Sequence, residues 1–391
     1  MKSVCILTSE ESFINNYGAA LQGYALFNTV KKMGYAPAIV RYRGGMPKNP
    51  PKYTGVRKVR ACLGKIKRKL LIPKSAREKR RCERKYKREI SQREAYFKAF
   101  SENNFTYVND QRTSWFQIKD NAPRADIYLC GSDQIWNPYF KGGRNDLGYF
   151  LDFAPLDKPR IAYAPSFGCS ELPALAKENI SELIHKFKAV SVREIAGKEI
   201  VKKETGLDVP VVADPTLLFA ADEWAAVEKK VDNVPEKYIL CYRFSDNDDT
   251  KKSIDDISRK LGLPVVSLPL SVPAMKDKNY HKVFKAGPAE FIWLVRNAEF
   301  VCTDSFHATV FSLIFHRPFV VFQRENFAGG HANMNSRIES LLTIAEMKDR
   351  IVIGRIENDA EELRKIDFEP FETNIKQMRE FSLNWLDEAM R

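Results

Sequence analysis

The chain has 391 residues, of which 44% are hydrophobic and 12% aromatic, enough to build two buried cores. No apolar run approaches the roughly 20 residues that a membrane-spanning helix needs, and the N-terminus lacks the pattern of a signal peptide. The seven cysteines are scattered without a CxxC pair, which argues against a disulfide framework or a zinc site and predicts a reduced, cytoplasmic protein.

Positive charge is concentrated in one segment. Residues 57–93 contain seventeen Lys or Arg against three Glu, so they account for the whole net charge of +13. An apolar stripe of helical spacing runs through Val56, Val59, Leu63, Ile66 and Leu70. The pattern favours two interpretations equally, attraction to an anionic membrane surface or a solvated helical excursion packed on its own domain. Nucleic acid is not expected, because the segment lacks the interleaved aromatic residues of a base-reading module.

The first half of the chain alternates predicted strands and helices. The strands are predicted at residues 4–7, 38–42, 125–130, 161–164, 189–192 and 209–212, and the helices at 18–32 and 175–187. This alternation predicts a parallel, doubly wound sheet in an N-terminal Rossmann-like domain. We place that domain at residues 1–230, with a basic helical insertion at about 44–100.

The alternation restarts after a polar linker at residues 231–237. Strands are predicted at residues 238–242, 265–268, 299–302 and 319–322, and helices at 249–261, 288–297 and after Ser305. A second Rossmann-like domain is therefore predicted at 238–372, followed by an amphipathic C-terminal helix, within residues 373–391, that crosses back to the first domain. The predicted fold class is α/β, with two doubly wound domains facing across a cleft where ligands bind.

Residues 300–315 carry the clearest functional signal, an apolar strand followed by a polar corner and an apolar helix. Asp304 or Ser305 is a natural N-cap, and His307 would lie in the first turn beside unpaired backbone N–H groups. Anionic ligands bind at such junctions, so the imidazole suggests acid–base chemistry on a substrate with a phosphate or carboxylate. The alternative is an ordinary buried helix start.

Two other polar corners suit a sugar. Residues 15–22 lead into a helix with small side chains but do not form GxGxxG, so a dinucleotide site is rejected. Residues 131–138 offer a carboxylate, an amide and an indole, which match the hydroxyls and the apolar face of a sugar ring. A capped turn with a structural Trp is the alternative. The candidate sugar-binding residues are Asn16, Tyr17, Gln22, Asp133, Gln134 and Trp136.

Three arginines are candidates for holding an anion. Arg193 ends a strand, where a guanidinium can match a carboxylate or phosphate bidentately, whereas a surface pair with Glu194 would contribute little. Arg243 follows the first strand of the second domain. Arg337 starts a helix, where an unpaired cation is mildly unfavourable unless an anion lies nearby. No group of residues has metal-ligand spacing, so no metal is expected.

Taken together, these segments resemble the polysaccharide pyruvyl transferase family. The resemblance rests on residues 16–22, 131–136, 191–194, 214–218 and 304–307, which occur in the family's order. It implies a glycosyltransferase-B arrangement, with the acceptor on the first domain and the donor on the second. It also implies transfer of the enolpyruvyl unit of phosphoenolpyruvate to two sugar hydroxyls, giving a cyclic pyruvate ketal and phosphate. No cofactor besides this donor substrate is expected.

The resemblance also assigns roles to single residues. His307 matches the family's catalytic histidine, and Arg193 an arginine that holds the donor, with Ser305 and Phe306 beside it. Some members carry an arginine two residues before the histidine, where this chain has Ser305. The candidates to replace that cation are Arg337 and Arg243.

The acceptor would be a cell-surface polysaccharide or its lipid-linked precursor. A cytoplasmic enzyme that acts on such a precursor would work at the inner face of the membrane, where residues 57–93 could hold it peripherally. The sequence gives no indication of the oligomeric state.

Two other functions stay open. A nucleotide-sugar glycosyltransferase of the same architecture would need a base and ribose site in the second domain, which the sequence does not indicate. A non-enzymatic polyanion-binding protein built around residues 57–93 would bind DNA with a steep salt dependence.

Overall fold

The computed structural model describes residues 1–44, 74–245, 247–324, 335–356 and 359–391. The first sheet consists of β1 (Ser3–Leu7), β2 (Ala36–Ile39), β3 (Ile127–Cys130), β4 (Arg160–Ala162) and β5 (Ala189–Val190). All its strand pairs are parallel, in the order β2-β1-β3-β4-β5. The central strands are short, buried apolar runs, as expected of a sheet covered by helices on both faces.

A second parallel sheet lies in the C-terminal half. Its strands are β6 (Ile239–Tyr242), β7 (Val265–Ser267), β8 (His281–Lys282), β9 (Phe300–Thr303), β10 (Phe319–Phe322) and β11 (Ile351–Val352). They pair in the order β11-β10-β9-β6-β7-β8. Two parallel-sheet units of this kind confirm the predicted α/β fold class.

Helices connect the strands of both sheets. In chain order they are α1 (Tyr17–Lys32), α2 (Lys74–Lys85), α3 (Lys87–Asn104), α4 (Trp115–Asp120), α5 (Ala174–Lys177), α6 (Ile180–His185), α7 (Ile195–Thr205), α8 (Ala221–Ala225), α9 (Asp248–Leu261), α10 (Val272–Lys276), α11 (Pro288–Arg296), α12 (Phe306–Ile314), α13 (Ser336–Ile344), α14 (Ala360–Leu363) and α15 (Glu369–Met390). None of these helices is both long enough and apolar enough to cross a membrane.

Two of the predicted elements are wrong in detail. The helix predicted at 175–187 is broken into α5 and α6, which are separated by Glu178 and Asn179. The strand predicted at 209–212 makes only an isolated bridge, between Val192 and Val211. Pro210 at its centre has no backbone N–H to donate, which disfavours a continuous ladder there.

Each sheet has one position where the strand order reverses. In the first sheet β1 lies between β2 and β3, and in the second sheet β6 lies between β7 and β9. Ligands of open parallel sheets bind outside the carboxyl ends of the strands at such positions. The residues that follow the four strand ends at the reversals are 8–9, 131–133, 243–244 and 304–305.

The two halves share a continuous apolar core, in which α1 is central. The hydroxyl of Tyr17 donates to the carbonyl oxygen of Ala286 at 3.1 Å, and its ring stacks on Phe291 with 4.8 Å between centroids. At the other end of the chain, α15 returns to the first half. The hydroxyl of Ser382 accepts from the backbone N–H of Ala213 at 2.9 Å.

The described part of the basic segment is two consecutive helices, α2 and α3. Cys82 packs against Met275 and Phe284, on the C-terminal half of the protein. Arg93, one of the seventeen cations of the segment, is buried and donates to the carbonyl oxygen of Pro269 at 3.0 Å. The segment therefore packs on the second half and not only on its own domain. The apolar stripe from Val56 to Leu70 lies outside the described residues.

Candidate active site between the two sheets

A cavity of about 470 Å³ lies where the reversal points of the two sheets face each other. Side chains from the N-terminal half that line it include Ser9, Glu11, Asn16, Asp133, Gln134 and Lys141. Those from the C-terminal half are Phe244, Ser305, Phe306, His307, Arg324 and Arg337. The size is typical of a small-molecule site, and one wall carries most of the cationic groups.

His307 lies in the first turn of α12, as predicted. Ser305 is the N-cap, and its hydroxyl accepts from the backbone N–H of Ala308 at 3.4 Å. A Cβ atom added to Gly18 of α1 would lie 2.0 Å from Nδ1 of His307. The imidazole thus packs directly against the backbone of the first domain, which only glycine allows. Its Nε2 is buried without a hydrogen-bond partner among the described residues.

Asp214 is the carboxylate that faces the imidazole. Its Oδ2 lies 3.8 Å from Nε2 of His307, longer than a hydrogen bond, and 2.5 Å from Nη1 of Arg193. Its Oδ1 accepts from the backbone N–H and the hydroxyl of Thr216. Although burial opposes ionisation, Arg193, His307 and Thr216 hold the pKa of Asp214 well below its ordinary value. Asp214 is therefore a fixed negative charge beside the histidine.

Arg337 is the buried cation of the cavity. It is 6% exposed, its Nε has no hydrogen-bond partner, and it makes no ion pair with any described residue. Burial, reinforced by the charge of Arg193, lowers the pKa of Arg337 to about 10. Its guanidinium lies 5.7 Å from the ring centroid of Phe306. Within the described residues, Asp133 and Glu194 act on this guanidinium only at longer range than an ion pair, so it can still pair with an anionic ligand.

Arg324, which sequence reasoning missed, is a second cation in the same wall. It follows β10, donates to Asp304 at 3.2 Å and lies 4.4 Å from the ring centroid of Phe244. Asp304 also accepts from the backbone N–H groups of Phe244 and Ser245 at 2.8 Å each. Asp304 therefore does not cap α12 but holds this arginine and the loop after β6 in place. The sequence signal that could have identified Arg324 is a cation placed directly after a predicted buried strand.

The opposite wall carries three of the six predicted sugar-binding residues, Asn16, Asp133 and Gln134. Asn16 caps α1 by accepting from the backbone N–H of Ala19, and Gln134 accepts from Asn137. Lys141 and Glu11 were not predicted, and they lie 3.5 Å apart in this wall. With two carboxylates and one ammonium group, the N-terminal wall contrasts with the C-terminal wall, which carries two guanidinium groups and no carboxylate within the described lining.

The other three candidates do not line the cavity, so our prediction of direct sugar contacts by them is corrected. Tyr17 is fully buried between the halves. The side-chain N–H of Gln22 donates to Thr8 at 2.9 Å, and its oxygen accepts from Ser132 at 3.0 Å, which ties β1 to β3. Trp136 is 1% exposed and donates to the carbonyl oxygen of Tyr149, itself a cavity residue. These three buried side chains support the N-terminal wall of the cavity without lining it.

Two predicted donor residues also lie outside the cavity lining. The guanidinium of Arg193 is surrounded by Asp214, Asp133 and Glu194, at 2.5, 3.6 and 3.9 Å. Burial lowers the pKa of Arg193, but these carboxylates outweigh it and the pKa is raised. Its charge is therefore already paired within the protein, and it contacts Asp133 and Asp214 rather than the cavity. Arg243 is buried at the end of β6 but does not reach the cavity, whereas Arg337 does.

No three His, Cys, Asp or Glu side chains come together as a metal site within the described residues. That the reaction needs no metal stays a prediction. The residues present could nevertheless neutralise an anion with arginines and helix N–H groups.

The fold and the cleft define a two-domain protein of the glycosyltransferase-B architecture. A sequence model described as polysaccharide pyruvyl transferase matches residues 16–326, and the chain therefore belongs to that family. No curated protein sequence matches the chain.

Several solved structures are similar to this chain. The UDP-GlcNAc 2-epimerase from Methanocaldococcus jannaschii has a TM-score of 0.52 at 13% identity, over 97% of this chain and 99% of that chain. The UDP-GlcNAc 2-epimerase from Neisseria meningitidis has a TM-score of 0.45 at 11% identity, over 99% of both chains. The glycosyltransferase SnogD from Streptomyces nogalater has 0.41 at 10% identity, over 98% of this chain and 95% of that chain. At 13% identity the likeness to the Methanocaldococcus jannaschii enzyme concerns the fold alone.

Proposed function

We propose that this enzyme transfers the enolpyruvyl unit of phosphoenolpyruvate to two hydroxyls of a sugar, releasing phosphate and leaving a cyclic pyruvate ketal. The acceptor sugar belongs to a cell-surface polysaccharide or its lipid-linked precursor. One observation carries the proposal. The imidazole of His307 and the guanidinium of Arg337, which makes no ion pair with a described residue, line one cavity between the two domains, each in the first turn of its helix.

The donor has two anionic groups, a phosphate and a carboxylate, and the C-terminal wall suits both. Arg337 and Arg324 supply guanidinium groups that can donate two parallel hydrogen bonds to either anion. The N-terminus of α12, capped by Ser305, adds backbone N–H groups and the positive end of its dipole. Arg337 takes the place of the arginine that some family members carry at the Ser305 position.

In the proposed mechanism His307 is the general acid. As an imidazolium it protonates the methylene carbon of the donor, which makes the neighbouring carbon electrophilic towards a sugar hydroxyl. A second hydroxyl then closes the ketal with loss of phosphate. A positioned proton transfer of this kind contributes about 10²- to 10⁴-fold to the rate.

Groups of opposite charge flank the His307 imidazole. The N-terminus of α12 places the positive end of the helix dipole beside it, whereas the carboxylate of Asp214 lies 3.8 Å from its Nε2. Arg193 holds Asp214 in place.

The test is to incubate the protein with phosphoenolpyruvate and a panel of hexosides, with and without EDTA. Phosphate release and a product heavier by one pyruvyl unit are expected. Retention of activity in EDTA is expected as well. Thermal shifts with phosphoenolpyruvate and with nucleotide sugars separate this reaction from a glycosyl transfer. Stabilisation by a nucleotide sugar alone, without phosphate release, would contradict the proposal.

A further inference from the structure

Ketal formation needs a base as well as an acid, because the attacking hydroxyl must lose its proton. Two carboxylates line the described part of the cavity, Glu11 and Asp133, and both belong to the wall opposite His307. The side chain of Glu11 is 36% exposed and lies 3.5 Å from the ammonium group of Lys141. The side chain of Asp133 is only 12% exposed and lies at the carboxyl end of β3.

The hydrogen bonding of Asp133 leaves capacity for a substrate. Its Oδ2 accepts from the hydroxyl of Ser9 at 3.2 Å, and its Oδ1 lies 3.6 Å from Nη2 of Arg193. A carboxylate offers about four acceptor sites, so at least one remains for a hydroxyl group in the cavity. Asp133 can therefore accept a hydrogen bond from a sugar hydroxyl in the cavity.

The backbone at Asp133 is held in an unusual conformation. Its φ angle is +67°, in the left-handed region that non-glycine residues seldom adopt. Its carbonyl oxygen accepts from the backbone N–H groups of Ile135 and Ser166 at 2.8 and 2.9 Å. Residues held in this region by their surroundings concentrate at functional sites.

Arg193 connects this carboxylate to the histidine. One guanidinium nitrogen, Nη2, faces Asp133, and the other, Nη1, contacts Asp214, which in turn faces Nε2 of His307. The acid and the carboxylate of the opposite wall are therefore held in a fixed relation across the cavity by one buried side chain. We propose that Asp133 is the general base that takes the proton of the attacking sugar hydroxyl, an inference that rests on the function proposed above.

The step balances as follows. The N–H bond of the His307 imidazolium breaks and a C–H bond forms at the methylene carbon of the donor. The hydroxyl oxygen bonds to the adjacent carbon, and its proton passes to the carboxylate of Asp133. The second hydroxyl then forms the other C–O bond as the C–O bond to phosphate breaks, and its proton leaves with the phosphate. Transfer of the first proton from Asp133 back to the imidazole restores the enzyme.

The experiment uses two variants, Asp133→Asn and Asp133→Gly. The first keeps the shape without the basic oxygen, and the second suits the positive φ and opens space for a small carboxylate. Both should lower kcat by about 10²- to 10⁴-fold, with phosphoenolpyruvate affinity retained in calorimetry. Formate should restore turnover of Asp133→Gly in a saturable way, and should not restore His307→Gln.

The outcomes are distinct. If wild type releases no phosphate from phosphoenolpyruvate with any acceptor, the proposed function fails and the base role with it. If wild type is active and Asp133→Asn keeps kcat within about tenfold of it, Asp133 is not the base. A folded Asp133→Gly that formate cannot rescue leads to the same conclusion. If Asp133→Gly does not fold, the kcat of Asp133→Asn decides alone.

Discussion

At the scale of single residues, the two buried arginines beside Phe306 differ in charge compensation. Arg193 lies within 4 Å of three carboxylates, whereas Arg337 has no such partner among the described residues. Both guanidiniums lie within 6 Å of the Phe306 ring centroid, at 4.9 and 5.7 Å. Arg193 therefore organises protein charges, and Arg337 is available to an anion from outside.

His307→Gln should greatly reduce turnover while leaving the fold and donor binding nearly unchanged. Glutamine can fill much of the space but cannot deliver a proton to carbon. The expected loss in kcat is about 10²- to 10⁴-fold, measured as phosphate release, with calorimetry for donor affinity. A variant that keeps a substantial share of wild-type phosphate release would remove His307 from the mechanism.

Arg337→Met should weaken phosphoenolpyruvate binding. Methionine keeps much of the apolar stem but removes a hydrogen-bonding charge worth about 1.5–3 kcal/mol, or about 10- to 150-fold in affinity. Arg355→Met is the matched control, because Arg355 is exposed, is paired with Asp256 and does not line the cavity. Equal donor affinity in the two variants would show that Arg337 does not hold the donor.

Several site residues could be predicted because their signals are local. The cap at Ser305, the position of His307 and the helix start at Arg337 all follow from short sequence patterns. The contact of His307 with Asp214 could not be predicted, because it joins two domains and depends on how they pack. The burial of Trp136 could not be predicted either, because an indole suits a core and a sugar site equally well.

At the scale of elements, the first turn of α1 fixes the imidazole through Gly18. Gly18→Ala would place a Cβ atom 2.0 Å from Nδ1 of His307, so the ring must move. A displacement of about 1 Å at a reacting group can cost roughly 10²-fold, and we expect a loss of that order in kcat. Gly197→Ala in α7 is the control, since its Cβ would meet neighbours only at 3.4 Å. Wild-type kcat in Gly18→Ala would mean that the ring position is not critical.

Helix α3 contributes to the joint between the domains through Phe97. Its ring is 1% exposed and lies 4.8 Å from that of Tyr17, between centroids. Phe97→Ala should therefore lower the free energy of unfolding by about 3–5 kcal/mol, measured by urea denaturation. Its neighbour Tyr96 is 39% exposed, and Tyr96→Ala should cost only about 0.5 kcal/mol. Similar losses in both would show that α3 does not pack as described.

The observed bounds of an element agree with the sequence prediction where all its residues are apolar and buried. The strand predicted at 319–322 is observed with the same bounds, because four consecutive apolar residues form a central buried strand. The two-residue strands β8 and β11 were missed, since such short edge segments carry no periodic signal. The packing of α2 on the second domain was missed because charge counts do not reveal which helix face is covered.

At the scale of the whole molecule, the net charge of +13 is uneven, and the described helices α2 and α3 carry much of it. Their inner faces pack on the protein through Cys82 and Arg93. The outer face exposes cations to solvent, among them Lys79, Arg80, Arg84 and Arg88. Since this surface is separate from the cavity lining, its charge is available to a partner while the active site works.

We therefore predict that substituting Glu at Lys79, Arg80, Arg84 and Arg88 reduces binding to anionic liposomes. Attraction to such a surface is about 1 kcal/mol per Lys or Arg, so the loss should be roughly 10²-fold or more at low salt. Salt should erase the difference, because it screens exposed charges. The variant should turn over a lipid-linked acceptor more slowly and a short soluble sugar at the wild-type rate.

The control carries the same charge change elsewhere, with Glu at the exposed residues Lys202, Lys203, Lys229 and Lys230. Wild-type liposome binding in this control, with loss in the α2–α3 variant, would locate the attraction on the basic helices and not in the overall charge. An equal loss of liposome binding in both variants would show that the attraction depends on the net charge alone. Unchanged binding of the α2–α3 variant across a salt titration would leave these helices with a structural role, joining the two domains behind the active site.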